Sequence, residues 1–123
     1  MKIGQLADRS GLSVHTIRYY ERIGLMPPPA RDAGGRRNYD PSVLDWTRFL
    51  DRLKATGMPI REMRRYAALR AEGPATGPER RALLVAHRAA VRARIAALTE
   101  GLAVLDAKIE SYPDPTDRNP DDD

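Results

Sequence analysis

The sequence predicts a mainly α-helical chain: short helices arranged around a helix-turn-helix and a small wing, then one long C-terminal helix. Three observations predict it. Apolar residues recur at helical spacing through most of the chain, and the runs are punctuated by Gly24 with Pro27, Pro28 and Pro29, by Gly57, and by the Gly- and Pro-rich residues 72–78. A Gly34-Gly35 pair marks one hairpin turn. From Leu84 to Tyr112 the apolar residues alternate steps of three and four once Arg88 is allowed to fill one place, the mark of a coiled-coil seam.

Residues 3–11 read as a short helix with Ile3, Leu6 and Ala7 turned inward and Gly11 at its C-cap. Gly11-Leu12-Ser13 makes a tight connection to a second helix, so the pair forms a helix-turn-helix. Ser13 is a suitable N-cap, because its hydroxyl can accept from the free N–H groups of the first turn. Gly24 can end this helix in a left-handed conformation, and the prolines after it forbid continuation. Val14, Ile17 and Glu21 lie on one side, while His15, Arg18, Tyr19 and Arg22 fall on another. That second face offers donors suited to phosphate oxygens and base edges; a solvated basic face is the plainer alternative.

After the prolines, Gly34 and Gly35 permit the positive φ values of a hairpin. Arg37 and Tyr39 then lie on a protruding strand with Arg36 close by, a wing able to meet a polyanion, or else a solvated loop. Asp40-Pro41 reads as an N-cap with proline at the first helical position. The helix that follows carries Val43, Leu44, Trp46, Phe49, Leu50 and Leu53 as core and stops at Gly57. Met58-Pro59 opens another helix, with Ile60, Met63, Tyr66, Ala67 and Leu69 as apolar positions and Arg61, Arg64 and Arg65 as further cations. For Arg61 and Arg64, DNA contact and plain surface solubility stand side by side. Trp46, Tyr66 and Leu69 belong to the core or, alternatively, line an apolar pocket.

Thr76 and Glu79 have the spacing of a capping box, with Thr76 as N-cap. The last helix carries Leu84, Val91, Ile95, Leu98, Leu102, Leu105, Ile109 and Tyr112 at heptad positions, Arg88 filling one place. At 1.5 Å per residue it extends on the order of 50 Å. Either a second copy covers such a seam, giving a homodimer, or the helix folds back on its own domain; the dimer is the reading adopted. The domain organisation is therefore residues 1–73 for DNA binding, 74–112 for dimerisation, and 113–123 as an acidic, Pro-containing tail expected to be disordered.

Net charge is +4, unevenly placed: residues 1–70 hold 14 Lys or Arg against 7 Asp or Glu, and residues 71–123 hold 7 against 10. The basic half coincides with the helix-turn-helix, as attraction to a polyanion requires. With no cysteine, disulfides, thiolate metal sites and cysteine nucleophiles are excluded. His15 and His87 supply two imidazole ligands at most, so no metal site and no cofactor are expected. No set of acid, base and nucleophile converges, which argues against an enzyme. The absence of a leader and of long apolar runs suggests a soluble cytoplasmic protein with no membrane contact.

Lys2-Ile3-Gly4-Gln5-Leu6-Ala7, Thr16-Ile17-Arg18-Tyr19-Tyr20-Glu21, Gly24-Leu25, Arg36-Arg37-Asn38-Tyr39 and Thr56-Gly57-Met58-Pro59-Ile60 together resemble the MerR family of bacterial transcription regulators, and the likeness runs to about Tyr112. The resemblance implies a winged helix-turn-helix DNA-binding domain and a dimer whose long helices form an antiparallel coiled coil. It also implies sequence-specific binding to double-stranded promoter DNA, with an overlong promoter spacer bent and untwisted so that RNA polymerase reads both elements.

On that reading His15, Arg18 and Tyr19 enter the major groove, and Tyr20 is close to the backbone or packed beneath. Arg37 and Tyr39, with Arg36 nearby, clamp phosphates. Ser13 belongs to the DNA-binding set, Thr16 contacts a backbone oxygen or caps locally, and Arg61 belongs to a second wing. The dimer rests on Leu84, Val91, Ile95, Leu98, Leu102, Leu105 and Ile109. Residues 60–70, Thr76 to Arg80, His87-Arg88 and Leu105 to Ile109 resemble the aldehyde- and electrophile-sensing branch typified by AdhR and NmlR, whose reactive cysteine is replaced here by Arg52. A DNA-architectural or recombination-directionality protein is the alternative, since it uses similar winged helices.

Overall fold

The computed structural model describes residues 1–115; residues 116–123, most of the acidic tail, lie outside the described residues. The elements run α1 (Ile3–Ser10), α2 (Val14–Arg22), β1 (Ala30–Arg31), β2 (Arg37–Asn38), α3 (Val43–Ala55), α4 (Ile60–Glu72), a 3₁₀ turn (Pro74–Thr76) and α5 (Gly77–Glu110). The expected mainly α architecture, with one small hairpin, is what forms.

The chain divides into two compact units, Met1–His87 and Arg88–Asp123. The first therefore takes in the opening turns of α5, beyond residue 73. Its core gathers Leu6 from α1, Ile17 and Tyr20 from α2, Trp46, Leu50 and Leu53 from α3, and Met63 and Ala67 from α4, with Leu25, Met26, Tyr39 and Met58 from the connections. Trp46 is fixed by a hydrogen bond from its indole N–H to the Leu25 carbonyl at 2.8 Å. Its ring stacks on Tyr66 at 6.0 Å between centroids, so the tie spans the segment after α2, α3 and α4. Tyr66 and Trp46 thus serve the core, and Leu69 is buried at 8% exposure.

Several local expectations change. Helix α3 begins at Val43, after a turn, because the Asp40 carboxylate accepts from the Ser42 N–H at 2.9 Å and the Asp40 carbonyl from Val43 N–H at 3.0 Å. Ile60 is exposed, not core, since it sits at the very start of α4. Thr76 does not act as the expected capping-box residue: it is buried, and its hydroxyl donates to the Leu69 and Gly73 carbonyls. Leu84, expected at a heptad position, is partly buried and packs against the core of the first unit. In the second unit α5 leaves Ile95, Leu98, Leu102, Leu105 and Ile109 more than half exposed. Val104, off the heptad, is exposed as well.

Candidate nucleic-acid interface

Helix α2 is capped as the sequence predicts. The Ser13 hydroxyl oxygen accepts from Thr16 N–H at 3.0 Å and donates to Thr16 Oγ1 at 3.0 Å. Of the two roles open for Thr16, the structure shows the local cap. At the far end the Leu25 and Met26 N–H groups donate to the Tyr20 carbonyl, with Gly24 between at φ 85°, a left-handed turn that a side chain would strain.

The helix is thereby held with one face in and one out. Ile17 is fully buried, whereas His15, Arg18 and Arg22 are exposed and Tyr19 is 39% exposed. The Arg22 guanidinium lies 5.5 Å from the Tyr19 ring centre, which stiffens this part of the surface. Tyr20 requires a correction. It is 4% exposed and belongs to the core, so it supports the helix from beneath and is not a DNA contact.

The wing is a two-rung antiparallel hairpin with Ala30 opposite Asn38 and Arg31 opposite Arg37. Its turn is organised by Asp32, whose Oδ1 accepts from Gly34 N–H at 2.9 Å and Arg36 N–H at 3.0 Å. Only one of the two glycines, Gly35, takes a positive φ, 75°. Lys2 pairs with the other Asp32 oxygen, tying the wing to the start of α1. The Asp32 carboxyl is held below the usual range, first by the Lys2 hydrogen bond and then by the Arg36 N–H. Arg36 is exposed at the turn.

Arg37 and Tyr39 meet Glu21 of α2. The Arg37 Nη1 donates to Glu21 Oε2 at 2.8 Å, and the Tyr39 hydroxyl donates to Glu21 Oε1. Tyr39 is 2% exposed, which corrects its expected role: its ring is core and its hydroxyl is already bonded, so it braces the wing instead of clamping a phosphate. Burial, and then the Glu21 carboxylate, raise its phenol above the ordinary value. Arg37 keeps part of its side chain in solvent.

A second basic feature adjoins the end of α2. Arg61, Arg64 and Arg65 of α4, with Ala68, Ile23 and Gly24, line an open depression of about 380 Å³. Arg61 was expected at the interface. Arg65 was not, although its spacing of four from Arg61 on one helix was the available signal.

These features define a winged helix-turn-helix of the DNA-binding kind. Two family profiles match the chain, "MerR family regulatory protein" over residues 2–39 and "MerR, DNA binding" over residues 44–109. The chain belongs to the MerR family of DNA-binding transcription regulators, which are not enzymes.

Among its relatives is the HTH-type transcriptional regulator AdhR of Bacillus subtilis, 38% identical over 72% of this chain and 63% of AdhR, so that the chain spans less than two thirds of that relative's length. A crystal structure of a Listeria monocytogenes protein described as a MerR family transcriptional regulator superposes with a TM-score of 0.85 at 38% identity, covering 91% of this chain and 85% of that one. HiNmlR, a MerR family regulator lacking the sensor domain and solved bound to promoter DNA, gives a TM-score of 0.79 at 32% identity, over 89% and 86% of the two chains. Among the described residues no helix is long and apolar enough to cross a membrane.

Proposed function

We propose that two copies of this chain bind double-stranded promoter DNA, each reading a major groove with His15, Arg18 and Tyr19 and gripping the flanking backbone with Arg36, Arg37 and the arginines of α4. The observation that carries this reading is the exposed basic face of α2, a helix to which the wing is bonded through Glu21 and whose end the Arg61, Arg64, Arg65 depression adjoins. Phosphate contacts on both sides of a groove-reading helix fix its register, while base contacts give the sequence preference. HiNmlR, a relative of similar extent, was solved on promoter DNA, which supports the same partner here.

Pairing of the copies is assigned to the seam Val91, Ile95, Leu98, Leu102, Leu105 and Ile109. A row of large aliphatic side chains left in water costs about 25 cal/mol per Å² of apolar surface, and a second helix removes that cost. In the antiparallel arrangement implied by the family, the two reading helices stand about one DNA turn apart. Deformation of the spacer between them, with RNA polymerase reading the adjusted promoter, is the mode of action this geometry serves. With no cysteine in the chain, its signal is not a thiol reaction. The effector is unassigned.

Footprinting on promoter fragments tests the proposal. Two protected half-sites related by a dyad are expected, with affinity falling steeply as salt is added because bound counterions are released. Protection of a single half-site, or affinity indifferent to salt, would overturn it.

A further inference from the structure

We infer that Glu21 is a positioning residue: it fixes the wing against the recognition helix and so holds Arg37 where it meets the DNA backbone. The inference rests on the reading of Arg37 as a phosphate contact. Glu21 itself faces away from the duplex-reading face. Its neighbours His15, Arg18 and Arg22 are exposed, whereas the Glu21 side chain is 10% exposed.

The geometry follows from strand periodicity. Residues two apart on an extended strand point to the same side, so Arg37 and Tyr39 can both turn towards α2. One carboxylate there meets both, Oε2 taking Arg37 Nη1 at 2.8 Å and Oε1 taking the Tyr39 hydroxyl. A nearly buried carboxylate is costly unless paired and hydrogen-bonded, and here each oxygen has a donor.

The wing needs such an anchor. Its strands are two residues each, and a hairpin that short has little stability of its own. Lys2 and Asp32 tie the turn to α1, but Glu21 ties the strand directly to the helix that reads the DNA. A guanidinium carries five N–H donors, so the bond to Glu21 leaves others for a phosphate, and 36% of the Arg37 side chain remains exposed. The distance from groove-reading face to backbone clamp is thereby set before DNA arrives, and less freedom is lost on binding.

The sign of the effect separates this role from a simple charge. A carboxylate near DNA that only repels it would, when removed, let the protein bind more tightly. A positioning carboxylate, when removed, weakens binding. The experiment is a double-mutant cycle on full-length protein and a specific duplex, with Glu21→Ala, Arg37→Ala, the pair, and Glu21→Gln. Affinities are measured across a salt series, and folding is checked by circular dichroism.

Arg37→Ala is expected to weaken binding about tenfold and to lower the salt slope by about one phosphate contact. Glu21→Ala should produce most of that loss alone and add nothing in the Arg37→Ala background. Glu21→Gln should fall between, since its amide oxygen can still accept from Tyr39 but offers Arg37 no charge; if Glu21→Ala does not fold, the cycle is run with this variant. Should Arg37→Ala leave binding unchanged, the phosphate reading falls and the inference with it. Should Arg37→Ala weaken binding while the Glu21 variant binds as well as or better than the parent, or adds its full loss on top, the positioning role is overturned and the phosphate reading stands.

Discussion

The hydroxyl of Thr76 donates to the carbonyl oxygen of Leu69 at 2.6 Å, across the end of helix α4, and shares its proton with the Gly73 carbonyl at 2.8 Å. It also accepts from Arg80 Nε at 3.0 Å, which joins the first turn of α5 to the same atom. The last carbonyls of a helix have no partner within it, and here a buried side chain supplies one. Thr76→Val keeps the shape and removes the donor, leaving a buried carbonyl unsatisfied. A loss of about 1–3 kcal/mol in urea-induced unfolding is expected, with Thr76→Ser retaining most of the stability. Equal stability of the valine variant would show that the bond contributes nothing.

Thr76 also shows where the sequence is ambiguous. Thr and Glu at a spacing of three specify a capping box only if the Thr side chain faces its own helix, and nothing in the spacing reports that it faces the previous one. The role of Tyr39, and the choice between the two readings of Tyr20, escape the sequence for a related reason: a tyrosine has an apolar ring and a polar tip, so pattern alone cannot say which end is used. Glu21 was placed on the inner side by its helical register with Ile17, yet its partners lie sixteen and eighteen residues away. Such pairings are tertiary and invisible to local periodicity. By contrast, the Ser13 cap, the Gly24 stop and the exposed row from Ile95 to Ile109 depend on neighbours within two turns, and these were legible.

Three leucines distinguish folding of the first unit from the proposed pairing of two copies. Leu50 is fully buried, so Leu50→Ala should cost about 2–5 kcal/mol, independent of protein concentration. Leu98 is 67% exposed and Leu102 57% exposed, so replacing both by Asp should leave the first unit folded. In sedimentation the double variant should run as a monomer where the parent runs as a dimer. A persistent dimer would mean that the seam lies elsewhere on α5.

Alkaline pH addresses the Tyr39 brace. Its phenol is raised above 10.0, chiefly by burial and then by the Glu21 carboxylate. A group whose pKa is higher in the folded state contributes stability fully present below the unfolded value. That contribution is lost as pH rises through the folded value. Stability of the parent should therefore fall from about pH 10 upward through this group, and Tyr39→Phe, which cannot ionise, should show a shallower fall. Parallel pH profiles for the two proteins would show that Tyr39 does not link the wing to pH.

Base reading and backbone gripping should separate when one residue of each kind is changed. Arg18 projects from the outward face of α2, while Arg64 lines the depression formed with Arg61 and Arg65. Arg18→Ala is expected to cost about 1–3 kcal/mol on the specific site and much less on random duplex, because a side chain on a base edge discriminates between sequences. Arg64→Ala should weaken both duplexes by a similar factor and lower the slope of affinity against salt by about one. Both variants alter exposed side chains, so thermal melts should match the parent and the comparison reads binding alone. Equal losses for Arg18→Ala on specific and random DNA would remove it from base recognition. A loss for Arg64→Ala confined to the specific site would move the α4 arginines from the backbone to the bases.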